Sequence, residues 1–240
     1  MRLIAAVVAA GILSSTAVAP RAASAQAGSS EFGSLRKELP LIELPGSESS
    51  PTLVVFVSGD GGWAAIEKDM SAEFNNRGAA VIGFDLREYL RRKRRTPEDV
   101  ARDVARVYRA YSDAWGKPSV VLLGFSRGAG MLPFILNRLP ADIDSRLKLT
   151  AFVGLPRTVN MTFHWIDIIR DVSRSDDIPV IPELQRASPG RMVCIYGGEE
   201  LLSGCRTAPV WVKRVQLPGG HHLERAYRSI SDSVFKYLPM

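Results

Sequence analysis

An α/β fold, with a mostly parallel central sheet and helices on both faces, is predicted by three features of this sequence. Short apolar runs of about five residues recur with room for a helix between them. The intervening segments carry helix start and stop signals. The apolar runs are continuous rather than alternating, as strands buried on both faces require. With 46% hydrophobic and 23% charged side chains, wholesale disorder, collagen and coiled coil are excluded. A chain of 240 residues suits one domain that folds without metal or disulfide staples.

Arg2, the apolar run Leu3 to Leu13 and Ala23-Ser24-Ala25 form the pattern of a cleavable secretory signal over residues 1–25. The run is too short to span a bilayer. Cleavage after Ala25 removes Arg2 and Arg21 and no acid, lowering the net charge from +6 to +4. The expectation is an exported protein, in a bacterial periplasm. Residues 26–36 (QAGSSEFGSLR) are small and polar and read as a flexible lead-in, leaving 37–240 as a single domain. Strands are expected at Leu53–Val57 and Ala79–Phe84, with a helix over 63–77 between them. Thr96-Pro97-Glu98-Asp99 opens the next helix, with Thr96 as N-cap, Pro97 at the first position and acids in the first turn. Its apolar stripe is Val100, Val104, Val107, Tyr108 and Tyr111, and it stops near Gly116. Further strands are expected at Ser119–Leu123, Leu149–Val153, Met192–Tyr196 and Val210–Leu217, and helices at 127–138 and 223–237. Residues 158–190 read as an irregular insertion, a short cap. In such sheets functional groups sit just after the strands.

Gly124-Phe125-Ser126-Arg127-Gly128 lies where strand becomes helix. This G-x-S-x-G places a serine on a sharp turn, with small neighbours so that strand and helix approach closely, and lifts the hydroxyl above the sheet. Ser126 is the candidate nucleophile, and a serine nucleophile needs a base. Three histidines are present, His164, His221 and His222. The last two follow Gly219-Gly220 after the final strand, where the order Ser…acid…His of the α/β-hydrolase fold puts the base. His221 is favoured, His222 the alternative, and His164 falls in the insertion. The acid should follow the strand ending at Tyr196. Gly197-Gly198-Glu199-Glu200 offers Glu200, three residues after the first glycine, with Glu199 as the alternative. An oxyanion hole needs two backbone N–H groups: Arg127, and Asp60 or Gly61 in the turn Ser58-Gly59-Asp60-Gly61-Gly62-Trp63. Asp60 and Trp63 are candidate substrate-binding residues.

Cys194 and Cys205 are the two cysteines, with ten residues between them. In an oxidising compartment a disulfide is expected, bracing the acid loop. The run Arg91-Arg92-Lys93-Arg94-Arg95 is expected to form a basic patch just before the Thr96 helix. It could hold an anionic membrane surface, at about 1 kcal/mol per residue, or be a solvated loop. No interleaved aromatic platform accompanies it, so no nucleic acid is expected. No dinucleotide fingerprint, P-loop or zinc-ligand spacing appears, so neither cofactor nor metal is expected.

The stretches SGDGGW (58–63), RTPE (95–98), GFSRGAGMLPF (124–134), NRLP (137–140), CIYGGEE (194–200) and PGGHHL (218–223) together resemble the VirJ/AcvB-type bacterial virulence proteins, periplasmic members of the α/β-hydrolase superfamily. Gly130 stands where many relatives carry an acidic residue. The resemblance implies a serine hydrolase that removes the aminoacyl group from aminoacylated phospholipid, notably lysyl-phosphatidylglycerol, with Ser126 as nucleophile and His221 as base. Asp60 or Glu199 could meet the lysyl cation. The alternatives are a carboxylesterase or lipase for other acyl esters, and a periplasmic assembly factor for a secretion system built on a hydrolase scaffold.

Overall fold

The structure, a computed structural model, describes residues 32–162 and 175–239. Seven strands form one sheet: β1 (Leu41–Leu44), β2 (Thr52–Val57), β3 (Ala80–Phe84), β4 (Ser119–Phe125), β5 (Leu147–Val153), β8 (Met192–Gly197) and β9 (Lys213–Leu217), in the order β1-β3-β2-β4-β5-β8-β9. All neighbours pair parallel except β1, which pairs antiparallel with β3, Leu41 opposite Phe84. Two short strands, β6 (Thr158–Val159) and β7 (Ile178–Pro179), pair antiparallel on their own.

Side chains alternate across the sheet, so each buried strand feeds two cores. Val55, Val57, Ile82, Phe84 and Leu122 face one layer, which includes α1 (32–38), α4 (Pro97–Ala114), α5 (Arg127–Leu136), the short α6 (Ala141–Asp144) and α7 (Val180–Arg186). Val54, Phe56, Val81, Leu123 and Phe125 face the other, against α2 (Ala65–Asn76) and α8 (Tyr227–Tyr237). Fully burying each such aliphatic or aromatic side chain contributes about 1.5–3 kcal/mol, which explains the unbroken apolar runs. Thr96 caps α4 as its sequence predicts: its hydroxyl accepts from the Asp99 N–H at 3.2 Å, and the Asp99 carboxylate accepts from the Thr96 N–H at 3.1 Å.

Several expectations are corrected. The segment read as a flexible lead-in ends in α1, whose Leu35 is fully buried. The basic run is not one loop: Arg91 and Arg92 close helix α3 (Leu86–Arg92) and both pair with Glu88. The Arg95 side chain is buried, its guanidinium 3.9 Å from the centre of the Tyr89 ring and beside Asp103. The insertion over 158–190 is not irregular throughout, since it contains β6, β7 and α7. Helix α7 is tied to the end of α5, where the Asn137 amide donates to Glu183 at 2.9 Å and Arg138 pairs with it at 2.8 Å. The last strand starts at Lys213, because Pro209 turns the chain there and leaves Val210 and Trp211 at the surface. The last helix starts at Tyr227, because Leu223, Glu224 and Arg225 all adopt positive φ. The signal segment and His164 lie outside the described residues.

Candidate active site

Ser126 sits between β4 and α5 with φ 52° and ψ −122°, a backbone conformation that costs a non-glycine residue of the order of 1 kcal/mol or more. Its own N–H donates to the Val153 carbonyl at 2.9 Å, and its carbonyl accepts from Gly130 at 3.0 Å. The turn closes this tightly only because its flanks lack side chains. A Cβ at Gly124 would lie 2.6 Å from the Gly128 carbonyl, and one at Gly128 would lie 2.1 Å from the Val57 oxygen. Gly130 has no room either: Val159 Cγ1 would lie 2.2 Å away, so the space that an acidic side chain would need is filled by the insertion.

Two further loops converge on this serine from the carboxyl ends of β8 and β9. His221 Nε2 lies 2.9 Å from Ser126 Oγ, and His221 Nδ1 lies 2.6 Å from Glu200 Oε1. With the imidazole proton on Nδ1, the ring donates to the carboxylate and accepts from the hydroxyl. The histidine side chain is 38% exposed and the Glu200 side chain 13%. The loops are packed main chain on main chain: a Cβ at Gly197 would meet the Gly220 carbonyl at 2.1 Å, and the Glu199 N–H donates to Gly219. Phe125 packs beside the imidazole, with ring centres 5.5 Å apart. His222 and Glu199 are both exposed, and neither bonds to Ser126 or His221.

The acid loop has supports that the local sequence pattern did not reveal. Arg206 donates to the Glu200 carbonyl at 3.0 Å and to the Gly198 carbonyl at 2.7 Å, with its guanidinium over Tyr196. Cys194 and Cys205 form the expected disulfide across this loop, with Cα atoms 5.5 Å apart.

The turn after β2 lies against the serine: a Cβ on Gly59 would be 3.3 Å from Ser126 Cβ. Its main chain is held by carboxylates. Glu67, 2% exposed, accepts from the Gly59 N–H at 3.1 Å and from the Ala64 N–H at 3.2 Å. Asp85 accepts from the Trp63 N–H at 3.3 Å, and Gly62 donates to the Gly59 carbonyl. Burial pushes the Glu67 carboxyl above its usual range, against the pull of the bonds from Gly59 and Ala64. Glu67 went unnoticed in the sequence, although an acid at the third position of a helix is a capping-box signal. The Asp60 carboxylate is ion-paired with Arg127, Oδ1 to Nε at 2.6 Å, so it faces that guanidinium rather than offering a bare charge. The Trp63 ring packs on Gly83 and edge-on to Phe56, within the packing of the sheet. Among the described residues no group of three His, Cys, Asp or Glu is disposed to hold a metal ion.

Chemically, the arrangement can remove a proton from a hydroxyl, hold the resulting imidazolium against a carboxylate, and present helix N-terminal N–H groups to an anion. Comparison with known proteins agrees with this architecture. Residues 51–239 match the bacterial virulence protein (VirJ) family. No curated protein matches the chain in sequence. Among solved structures, a lipase-esterase related protein from Clostridium acetobutylicum aligns at 12% identity and TM-score 0.58, over 83% of this chain and 99% of that one. A dienelactone hydrolase from Anabaena variabilis aligns at 15% and 0.58, over 83% and 91%. The naproxen esterase of Bacillus subtilis aligns at 14% and 0.53, over 88% and 96%. At these identities the likeness establishes the α/β-hydrolase fold alone.

Proposed function

We propose that this chain, which belongs to the VirJ family of bacterial virulence proteins, is a serine ester hydrolase exported to the periplasm that cleaves the aminoacyl ester of an aminoacylated phospholipid such as lysyl-phosphatidylglycerol. The observation that carries the reading is the bonded series Ser126–His221–Glu200, at 2.9 and 2.6 Å. In the proposed reaction Ser126 Oγ attacks the ester carbonyl while His221 Nε2 takes the hydroxyl proton. Glu200 holds the imidazole tautomer and stabilises the imidazolium. The carbonyl oxygen, now negative, accepts N–H groups from Arg127 and from Asp60 or Gly61. Collapse breaks the ester C–O bond, and the proton on Nε2 passes to the departing lipid alcohol. Water, activated by the same nitrogen, then releases the aminoacyl group and restores the serine.

An amphiphilic substrate is supported by Leu201 and Leu202, 73% and 72% exposed directly after Glu200. Lys93 and Arg94 of the basic run are exposed and make no ion pair among the described residues. Two such charges near an anionic surface contribute about 2 kcal/mol. No helix among the described residues is long and apolar enough to cross a membrane. Export is further supported by the disulfide. With Asp60 paired to Arg127, Glu199 at the exposed edge of the acid loop is the better placed of the two acids to meet a lysyl ammonium.

The test is incubation of vesicles containing lysyl-phosphatidylglycerol, and separately a soluble neutral acyl ester, with wild type and Ser126→Ala. The expected result is release of lysine and phosphatidylglycerol by wild type alone. Turnover of the soluble ester without the lipid would favour the general carboxylesterase reading. Turnover of neither would favour a scaffold role in assembly.

A further inference from the structure

We propose that the ion pair between Asp60 and Arg127 positions the two halves of the oxyanion site, joining side chain to side chain the residues whose main chains would supply its N–H groups. This deepens the hydrolase reading and rests on it. Arg127 opens α5 directly after the serine, whereas Asp60 lies in the turn after β2, 67 positions earlier. Their main chains thus belong to separate elements. Nε of Arg127 and Oδ1 of Asp60 nonetheless approach to 2.6 Å, with the side chains 9% and 26% exposed. The Arg127 guanidinium also reaches the Thr162 carbonyl, 3.5 Å from Nη1, and so bridges the serine turn, the glycine turn and the base of the insertion.

An arginine this buried is a poor choice for packing alone, because desolvating its charge is costly unless a counter-ion is held close. Oxyanion binding supplies a reason. Two N–H groups carried by different elements must keep their separation to within about half an ångström to favour the transition state. The glycine turn has flexible main chain, and Glu67 and Asp85 secure it at Gly59, Trp63 and Ala64, on either side of residues 60 and 61. Arg87 donates to the Gly61 carbonyl at 3.3 Å, and the ion pair adds an attachment from the tip of the turn to the helix that carries the other N–H. Being largely buried, it is screened little by salt.

The experiment compares wild type, Asp60→Asn, Arg127→Gln, Arg127→Lys and the double variant Asp60→Asn/Arg127→Gln, with a soluble acyl ester and a boronic acid that forms a tetrahedral adduct on serine. Thermal melting is recorded for each. We expect each neutralising variant to lose at least tenfold in kcat with KM changed less than twofold, and to lose boronate affinity by a similar factor. The double variant should be no worse than the weaker single, and Arg127→Lys should recover part of the loss. Arg127→Lys keeps the charge and a similar reach, so it serves where the glutamine variant does not fold. Lower melting temperatures with kcat and boronate affinity within twofold of wild type would overturn the proposal, as would losses that simply add. Wild type that is neither inhibited by boronate nor active on any ester would overturn the hydrolase reading, and the positioning role with it.

Discussion

Ser126 is useful only in the company of residues far from it in the chain, and the identity of that company is fixed by which way two adjacent pairs of side chains turn. Glu199 and Glu200 are neighbours, yet Glu200 faces the imidazole while Glu199 is exposed. His221 and His222 divide in the same way. Glu200→Gln and His221→Ala should therefore each lower kcat at least a hundredfold, as loss of tautomer control or of the base does in such arrays. Glu199→Gln and His222→Ala should stay within about threefold on a neutral soluble ester. Steady-state kinetics of the four variants checks this, and a reversal within either pair would reassign the roles. These positions were legible in sequence because each falls just after a strand beside glycines. The choice within each pair rested on the finer signal of spacing from the glycines, which favours Glu200 and His221, and it left Glu199 and His222 as alternatives because neighbours on a loop differ mainly in direction. Glu67 left only the weak signal of an acid at the third helical position, with Ala64 rather than a polar residue as cap; Arg206 and the pairing of Asp60 with Arg127 left no local pattern, because each acts on main chain or charge brought near by folding.

At the scale of elements, continuous burial made the parallel strands readable, and partial burial hid the others. Strand β1 is short, half-buried and interrupted by Glu43, so it lacks an apolar run. Helix α3 reads as a basic loop because its buried face is only Leu86, Tyr89 and Leu90. Helix α2 carries an ionisable group whose burial has a consequence for stability. The folded state raises the affinity of Glu67 for a proton, so its contribution to stability is fully present below the ordinary carboxyl range and is lost as pH rises through the raised value. Relative to wild type, Glu67→Gln should therefore gain stability as pH rises from 4 to 7. Chemical denaturation of both proteins at the two pH values measures this, and a shift of the opposite sign would contradict the burial argument. The disulfide joins β8 to the turn after the acid loop, enclosing Glu200. Cys194→Ala/Cys205→Ala should cost about 2–3 kcal/mol by chain entropy. It should also lower kcat where the fold persists, because Glu200 would lose one of its supports. Unchanged kcat would mean that Arg206 and the main-chain bonds of the loop hold Glu200 without the disulfide.

Across the whole molecule, the sheet brings the ends of β2, β4, β8 and β9 to one edge, and the candidate site is assembled there from four loops. The reading of a mostly parallel sheet under two helical layers was available from the order of elements alone, whereas an antiparallel edge strand needs pairing information that no single segment contains. Leu201 and Leu202 and the exposed Lys93 and Arg94 give the surface an apolar point near the site and a small basic spot. Lys93→Ala/Arg94→Ala should weaken binding to anionic vesicles by roughly tenfold or more at low salt and little at high salt; sedimentation with vesicles at two salt concentrations reads it, and equal binding by both proteins would remove the basic spot from the account. The central claim, that Ser126 is an activated nucleophile, is tested most directly by reaction with a fluorophosphonate followed by mass mapping of the modified residue. The expected result is one phosphonylated site, Ser126, with labelling slowed at least a hundredfold in His221→Ala; an unlabelled protein, or label on another residue, would contradict the claim.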